Sequence, residues 1–119
     1  REGMTNQHTP SQLPHHRLVA YHVAVDLLLA IKAANIRDAK LRDEALRAAK
    51  SAVLNVAEGA GRVSRADKNR AFTIARGEGL EAFAALETAS LVGDAQAAHV
   101  QACLPVAQRL YALLTGLLR

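Results

Sequence analysis

One short stretch near the middle of the chain combines side chains that could do chemistry. It reads NVAEGAGR and holds Asn55, Glu58 and Arg62 among small residues, with Gly59 and Gly61 between the two charges. A carboxylate and a guanidinium beside two glycines could form a catalytic or phosphate-binding loop. The same residues could also end one helix and begin the next, since glycine readily adopts the positive φ of helix ends.

The helix-end interpretation accounts for more of the stretch. A phosphate-binding loop of the P-loop kind needs more glycines, a Lys before Ser or Thr, and a preceding strand. We therefore predict that Gly59 and Gly61 turn the chain, and that Glu58 and Arg62, four residues apart, pair across the turn. Arg76 on the following helix should lean toward Glu58, because side chains lean toward the N-terminus of their own helix. A ligand or catalytic role remains the alternative.

No other group of residues indicates an enzyme. His15 and His22 lie about two helical turns apart, which is too far to share one metal ion directly. Cys103 is the only cysteine, so no intrachain disulfide can form, and it is interpreted as a small buried hydrophobic residue. No Ser–His–Asp or paired-carboxylate arrangement can be assembled. We predict no catalytic residue, no metal, no cofactor and no enzymatic activity.

Composition identifies the elements that must position these residues. Half of the 119 residues are apolar, only 3% are aromatic and alanine is abundant, which favours helix over strand. Residues 1–12 are polar and are expected to form a disordered tail, of which 1–3 are interpreted as a cloning remnant. The longest apolar stretch is broken by His22 and Asp26, so we expect no membrane segment. The single cysteine fits a reducing compartment, and we expect a cytoplasmic location.

Four helices are predicted between residues 13 and 119. The first runs from about 15 to 35 and is apolar nearly all round, so its extra face is expected to meet another subunit. The second runs from Asp38, a plausible N-cap, to Glu58.

The second half of the chain holds the other two helices. Ser64 and Asp67 form a capping-box-like start for the third helix. Gly93 should end that helix and Asp94 should cap the fourth, in which Pro105 is expected to cause a kink or an interruption. Short turns between four helices predict an all-α, antiparallel up-down-up-down four-helix bundle.

Positive charge is concentrated around the turn between the second and third helices, in a chain whose net charge is +4. The cluster consists of Arg62, Arg65, Lys68 and Arg70. Such a cluster could hold phosphates without reading bases, and the helix start at Ser64 favours an anion. The alternative is an ordinary solvated helix surface.

Two segments carry a family resemblance. KSAVLNVAEGAGRVSR and AFTIARGEGLEAFAALETASLVG resemble the four-helix-bundle family encoded in 23S rRNA intervening sequences. The matching positions are Asn55, Ala57, Glu58, Gly59, Gly61 and Arg62 in the first segment, and Ala75, Arg76, Gly77 and Glu81 in the second. The likeness spans about residues 13–119. Tyr21 and His22 stand where members usually carry Trp, and Glu78 replaces a Ser.

The resemblance carries expectations about sites and partners. Glu81 joins Asn55, Glu58, Arg62 and Arg76 in the predicted structural polar network. The family consists of small bacterial cytosolic proteins, and relatives are similar to the accessory protein of diversity-generating retroelements. That protein resembles a barrel of five bundles that binds nucleic acid and a reverse transcriptase. The name S23 ribosomal protein, carried by some members, reflects gene position and does not establish ribosome binding.

Together these observations predict a non-enzymatic homo-oligomer. The resemblance favours a ring-like pentamer, with the first helix at the subunit interface. Its basic surface is expected to bind RNA, DNA or a nucleic-acid enzyme such as a reverse transcriptase. The alternative is a structural or protein-interaction module with no nucleic-acid role.

Overall fold

The computed structural model describes residues 12–119, which contain helices and no strand. A short 3-10 helix precedes four α-helices, whose bounds are Val19–Ala34 for α1, Ala39–Gly61 for α2, Arg65–Leu91 for α3 and Ala97–Leu117 for α4. The prediction of an all-α fold with four helices is confirmed. Apart from Gln12, the expected N-terminal tail, including residues 1–3, lies outside the described residues.

The four helices form an antiparallel bundle. Each helix packs against its neighbours in the sequence, most extensively α2 against α3, and α4 returns to pack against α1. Contacts between α1 and α3 are few, so these two helices lie on a diagonal. Because the connections between consecutive helices are short, each helix packs antiparallel to the one before it. No helix in the described part of the chain is long and apolar enough to cross a lipid bilayer.

The core combines small side chains on α2 with large ones on α1 and α4. Leu27 and Ile31 of α1 are almost fully buried, as are Leu110 and Leu114 of α4. Burying one such side chain stabilises the fold by about 1.5–3 kcal/mol. The inner face of α2 lies closely against its neighbours because its buried positions are small, at Ala45, Ala48, Ala49 and Ala52.

The end of α2 differs from the prediction. The helix continues past Glu58 to Gly61, and neither Gly59 nor Gly61 adopts positive φ. Gly59 is buried, and a Cβ there would lie 2.5 Å from Cε1 of Phe72. Its missing side chain is therefore required for packing against α3, and not for a turn. A Cβ at Gly61 would meet nothing within 4 Å.

Two helix starts agree with the sequence patterns. The Asp38 carboxylate accepts a hydrogen bond from the backbone N–H of Leu41 at 2.9 Å. Ser64 Oγ accepts one from the backbone N–H of Asp67 at 3.1 Å. Both side chains satisfy N–H groups that have no partner within the first turn of a helix.

The loops at the opposite end of the bundle contain the two positive-φ residues of the described range. These are Asn35 at φ 47° and Gly93 at φ 85°. Gly93 ends α3 as predicted. Asp94 does not cap α4, whose N-cap position is Gln96. The Asp94 side chain instead binds Arg37 of the α1–α2 loop.

The first and last helices also depart from expectation. The predicted first helix is divided at Leu18, which has an extended backbone and separates the 3-10 helix Pro14–Arg17 from α1. The fourth helix is not divided at Pro105, because α4 is continuous from Ala97 to Leu117. Pro105 lacks the N–H that would bond to Gln101, and both residues are exposed. Water can therefore satisfy the Gln101 carbonyl.

Candidate functional site

The up-down topology brings four chain segments to one end of the bundle. These are the start of α1 with its preceding 3-10 helix, the end of α2, the start of α3 and the end of α4. We call this region the basic end, and among residues 12–119 its cationic side chains are Arg17, Arg62, Arg65, Lys68, Arg70 and Arg119. Within that same range of residues, only Glu58 and Asp67 supply side-chain carboxylates there. The four cations predicted from the sequence are therefore gathered at one end, together with two that lie far away in the chain.

Lys68 serves the fold. Its Nζ donates to the carbonyl oxygens of Gly59 and Ala60 at 3.1 and 3.2 Å, and the side chain is half-buried. These carbonyls lie in the last turn of α2, where the helix dipole carries partial negative charge. The Lys68 ammonium thus caps α2 from the start of α3. Because the ammonium already donates hydrogen bonds within the protein, it is less available to bind a phosphate.

Arg62 and Glu58 form the predicted pair. Arg62 Nη2 lies 2.9 Å from Glu58 Oε2, and both side chains are 53% exposed. An exposed pair four residues apart on a helix contributes only about 0.3–0.5 kcal/mol, because water screens it. Arg62 can therefore exchange this carboxylate for a phosphate at small cost.

Polar contacts join the start of α3 to the end of α4. Arg65 Nη1 donates to the Leu117 carbonyl at 3.4 Å. Asn69 Nδ2 donates to the Arg119 carbonyl at 3.0 Å, and the Arg119 N–H lies 3.4 Å from Asn69 Oδ1. These contacts bring Arg119 to the basic end. Sequence reasoning missed Arg119 because its partner lies 50 residues away.

Arg70 and Arg62 border a shallow, mostly polar cleft between α2 and α3. Its lining residues are Asn55, Glu58, Arg62, Asp67, Arg70, Ala71 and Ile74. Two guanidinium groups and two carboxylates share the cleft, so its local charge is mixed. A phosphate would compete with Glu58 and Asp67 there, whereas Arg65 and Arg119 do not line this cleft.

The predicted contact between Arg76 and Glu58 is wrong. The short α2–α3 turn sets Glu58 level with Lys68, so Arg76 lies about eight residues, or about 12 Å, further along α3. Arg76 turns to α4, where Nη1 donates to Thr115 Oγ1 at 3.1 Å. Its guanidinium carbon lies 5.2 Å from the ring centre of Tyr111.

Asn55 also stays outside the predicted network. Its Nδ2 donates to the carbonyl and the hydroxyl of Ser51, at 2.9 and 3.2 Å. These bonds lie within α2 and do not involve Glu58. The five residues expected to form one network therefore divide among separate contacts, of which only Glu58–Arg62 was predicted correctly.

Glu81 belongs to a different ion cluster, centred on Arg47 at the middle of α2. The Arg47 guanidinium lies 2.7 Å from Glu44, 3.1 Å from Glu78 and 2.9 Å from Glu81. Its hydrogen bonds lower the pKa of Glu44 and of Glu78. The same hydrogen bonds raise the pKa of Arg47, the bond to Glu44 having the largest effect and the bond to Glu78 the next largest. The sequence offered only the Glu44–Arg47 spacing as a signal, because Glu78 and Glu81 are 31 and 34 residues from Arg47.

The remaining candidates for chemistry have structural surroundings. Cys103 is fully buried, and desolvation raises its pKa to about 11, so the thiol stays protonated near neutral pH. His22 Nε2 lies 2.9 Å from the carbonyl of His16, whose Nδ1 accepts the Leu13 N–H at 3.0 Å. Among residues 12–119, no group of three or more His, Cys, Asp or Glu side chains is placed to hold a metal ion.

Comparison with known protein families identifies a match that covers most of the chain. Residues 17–116 match the family model described as 23S rRNA-intervening sequence protein. The match begins before α1, ends in the last turn of α4 and includes both sequence segments that carried the resemblance. No curated protein matches the chain.

Proposed function

The chain belongs to the family of 23S rRNA-intervening sequence proteins, and from this membership we propose that it self-assembles and binds a polyanion through its basic end. The proposed ligand is RNA or DNA, reached directly or together with a nucleic-acid enzyme such as a reverse transcriptase. The resemblance to the accessory protein of diversity-generating retroelements supports that partner and favours a pentamer. The proposal includes a bacterial, cytosolic setting.

The observation that carries this proposal is the unequal charge at the basic end. In the described part of the chain, six cationic side chains there face two side-chain carboxylates, Glu58 and Asp67. Phosphate binding releases counterions from the nucleic acid, and this favours a surface with surplus positive charge. In a symmetric ring, every copy would present the same end on one rim, so a modest charge per chain would become a strong local field.

The exposed arginines are the proposed phosphate contacts. Arg62, Arg65 and Arg70 are exposed, and a guanidinium can bind a phosphate with two hydrogen bonds. Contacts of this type position a nucleic acid without reading its sequence. Lys68 has a lesser part in binding, because its ammonium already caps α2.

The surroundings of the reactive side chains support a non-enzymatic role. The Cys103 thiol is buried and protonated, so it is not available as a nucleophile. Glu58 is paired with Arg62, and its pair lies on an open surface where water would screen a developing charge.

The test is fluorescence anisotropy with labelled single-stranded RNA and DNA across a salt series. Arg65→Glu combined with Arg70→Glu should weaken binding at least about 10-fold and flatten the dependence on salt. Lys68 is left intact because reversing its charge would uncap α2. The matched control is Lys40→Glu combined with Lys50→Glu, which changes net charge equally on exposed positions of α2 away from the basic end. Absence of binding by the unmodified protein at low salt would contradict the proposal.

A protein-interaction module is the second candidate function. It is favoured by a mostly apolar groove between α3 and α4, lined by Leu80, Phe83, Leu104, Ala107, Gln108 and Tyr111. An exposed apolar surface of this kind is typical of a protein contact. If the unmodified protein assembles but binds no polyanion, this second function replaces the first.

A further inference from the structure

The apolar groove between α3 and α4 has a cation at its border. Leu80, Leu104 and Tyr111 each leave between 40% and 50% of their surface exposed along it. Arg76 lies over the ring of Tyr111, and its bond to Thr115 fixes the guanidinium there. We call this surface the α3–α4 groove. It offers an apolar centre beside a positive charge that is already held in position.

The outer face of α1 carries the complementary pattern. Its exposed residues recur every three or four positions and therefore form one stripe along the helix, consisting of Val19, His22, Asp26, Leu29, Lys32 and Ala33. Lys32 lies in the last turn of α1, well beyond Asp26 along this stripe. Val19 is 51% exposed and Leu29 is 57% exposed. Asp26 lies between them and is the only carboxylate on α1. We call this stripe the α1 outer face.

A chain cannot place its own α1 outer face in its own groove. The groove is lined by α3 and α4 alone, and α1 lies diagonally across the bundle from α3. The opposite side of α1 is committed to the core, through Val23, Leu27 and Ile31. An α1 outer face that docks in this groove must therefore belong to another copy of the chain.

We propose that the α1 outer face of one copy docks in the α3–α4 groove of the next copy. This inference rests on the self-assembly in the proposed function and specifies the surfaces involved. Leu29 and Val19 would remove the exposed surface of Leu80 and Leu104 from water, which is the driving force for association. Asp26 would meet Arg76, whose guanidinium is preorganised on Tyr111.

The contact is between two different surfaces, so it propagates from copy to copy. Each copy offers one α1 outer face and one groove on different sides of the bundle. Head-to-tail contacts of this kind close into a ring when the rotation between copies allows it. All basic ends of such a ring share one rim, which connects this assembly to the proposed binding of polyanions.

Light scattering coupled to size exclusion provides the first test. Leu29→Arg alters the α1 outer face and Leu80→Arg alters the groove, so each variant should have the mass of a monomer. The control is Val63→Arg, a 95%-exposed position in the α2–α3 turn outside both surfaces, which should keep the mass of the unmodified protein. Circular dichroism should show the same helix content in all four proteins. An unmodified mass for either Leu29→Arg or Leu80→Arg overturns the docking proposal.

Mixing the two disrupted variants tests the pairing itself. Leu29→Arg retains an intact groove and Leu80→Arg retains an intact α1 outer face. A mixture should therefore form 1:1 dimers of about twice the monomer mass and should grow no further, as the heterologous contact requires. If the two variants remain monomeric when mixed, the docking proposal is overturned.

A charge exchange keeps the proposal testable if an arginine in either leucine position prevents folding. Asp26→Arg and Arg76→Asp should each reduce the oligomer fraction, and their combination should restore it. No restoration by the folded double variant contradicts the Asp26–Arg76 contact. The outcomes separate this inference from the proposed function. A monomeric unmodified protein overturns both self-assembly and docking, whereas an oligomer that binds no polyanion overturns only the nucleic-acid role.

Discussion

At one end of the bundle Arg37 and Asp94 join two loops, whereas at the other end six cationic side chains of residues 12–119 face two side-chain carboxylates. Arg37 donates its backbone N–H to the Asp94 carbonyl at 2.8 Å and its Nε to the Asp94 carboxylate at 3.2 Å. Its Nη2 donates to the Gly93 carbonyl at 3.0 Å. We call this region the clamp end. There the charges of Arg37 and Asp94 satisfy each other across the α1–α2 and α3–α4 loops.

The comparison of the two ends distinguishes charged side chains that stabilise the fold from charged side chains that remain available to bind a partner. At the clamp end, the acceptors for Arg37 are fixed by two short loops, so the contact has one geometry. At the basic end, Lys68 has a comparable structural role, but Arg62, Arg65 and Arg70 remain exposed beside a small number of acceptors. Surplus charge of one sign costs stability through self-repulsion, which a bound polyanion would relieve.

The largest expected effect concerns the packing that supports the basic end. Gly59→Ala should destabilise the protein by about 1–3 kcal/mol, because the new Cβ would overlap the Phe72 ring and the core must shift. Urea unfolding followed by circular dichroism measures the change. The matched control is Gly61→Ala, where a Cβ meets nothing and helix propensity should leave stability equal or slightly higher. Equal destabilisation by the two variants would contradict the packing role of Gly59.

Gly93 and Gly59 show which features of the fold can be predicted from the sequence and which cannot. The number of helices, the N-caps Asp38 and Ser64, and the end of α3 at Gly93 followed from local patterns that depend on neighbouring residues alone. The function of Gly59 did not follow, because its cause is Phe72, a residue that approaches only when α3 folds back. A glycine near a helix end predicts a turn and a close approach equally well, and only the packed structure distinguishes them.

The candidate site was predictable to the same extent. Glu58–Arg62 is a contact between residues four apart, and the sequence predicted it. The partners of Arg76 and Glu81 lie on other helices, and their choice depends on the level and rotation of each helix in the bundle. Arg37–Asp94 joins residues 57 apart and was missed, because the sequence pattern predicted instead that Asp94 caps α4.

The clamp end should show the next largest effect. Asp94→Ala removes the acceptor for the Arg37 Nε and should cost about 1 kcal/mol, a value limited by the exposure of Arg37. A double-mutant cycle with Arg37→Ala should give a coupling energy above zero, measured by urea unfolding. Lys40→Ala, on an exposed position near the same end, is the control and should change stability little. A coupling energy of zero would mean that the loops are held without this ion pair.

At the basic end, one cation should behave like those of the clamp end. Lys68→Met removes the donor to the Gly59 and Ala60 carbonyls and should cost about 0.5–1 kcal/mol. The control is Arg70→Met, an exposed position whose side chain donates no hydrogen bond to another residue in the range 12–119, and it should leave stability nearly unchanged. Binding should show the reverse order, with Arg70→Met weakening affinity for RNA more than Lys68→Met. The same order in both measurements would contradict the separation of roles.

The Arg47 cluster between the two ends predicts a pH dependence. The Arg47 guanidinium lowers the pKa of Glu78 in the folded state from its ordinary value of 4.5. The Glu78 carboxylate therefore stabilises the folded protein fully at pH values above 4.5. That contribution is lost as pH falls through the lowered pKa. Arg47→Gln should therefore destabilise the protein near neutral pH, and its difference from the unmodified protein should shrink as pH falls below 4.5. A stability difference that stays constant over this range would contradict the ionic contribution.

The smallest effect on stability is expected for Glu58→Ala. The lost pair with Arg62 is exposed and contributes only about 0.3–0.5 kcal/mol. Glu58 also lies in the last turns of α2, where a negative charge is unfavourable to the helix dipole, so its removal offsets part of the loss. Affinity for a polyanion should increase, because the variant removes a carboxylate from the basic end and releases Arg62. Urea unfolding and fluorescence anisotropy measure the two quantities on the same preparation.

The matched control for Glu58→Ala is Glu87→Ala, which makes the same change of charge near the other end of α3. If affinity depends on the local surplus at the basic end, only Glu58→Ala should tighten binding, and the difference should fade as salt screens the surface charges. If both variants tighten binding equally, the polyanion responds to the net charge of the whole protein, and the contrast between the two ends concerns stability alone. Comparison of Glu58→Ala with Glu87→Ala therefore tests whether the arginines of the basic end form a binding site of their own. Because Glu58→Ala should change stability very little, its effect on binding can be measured without a change in the fold.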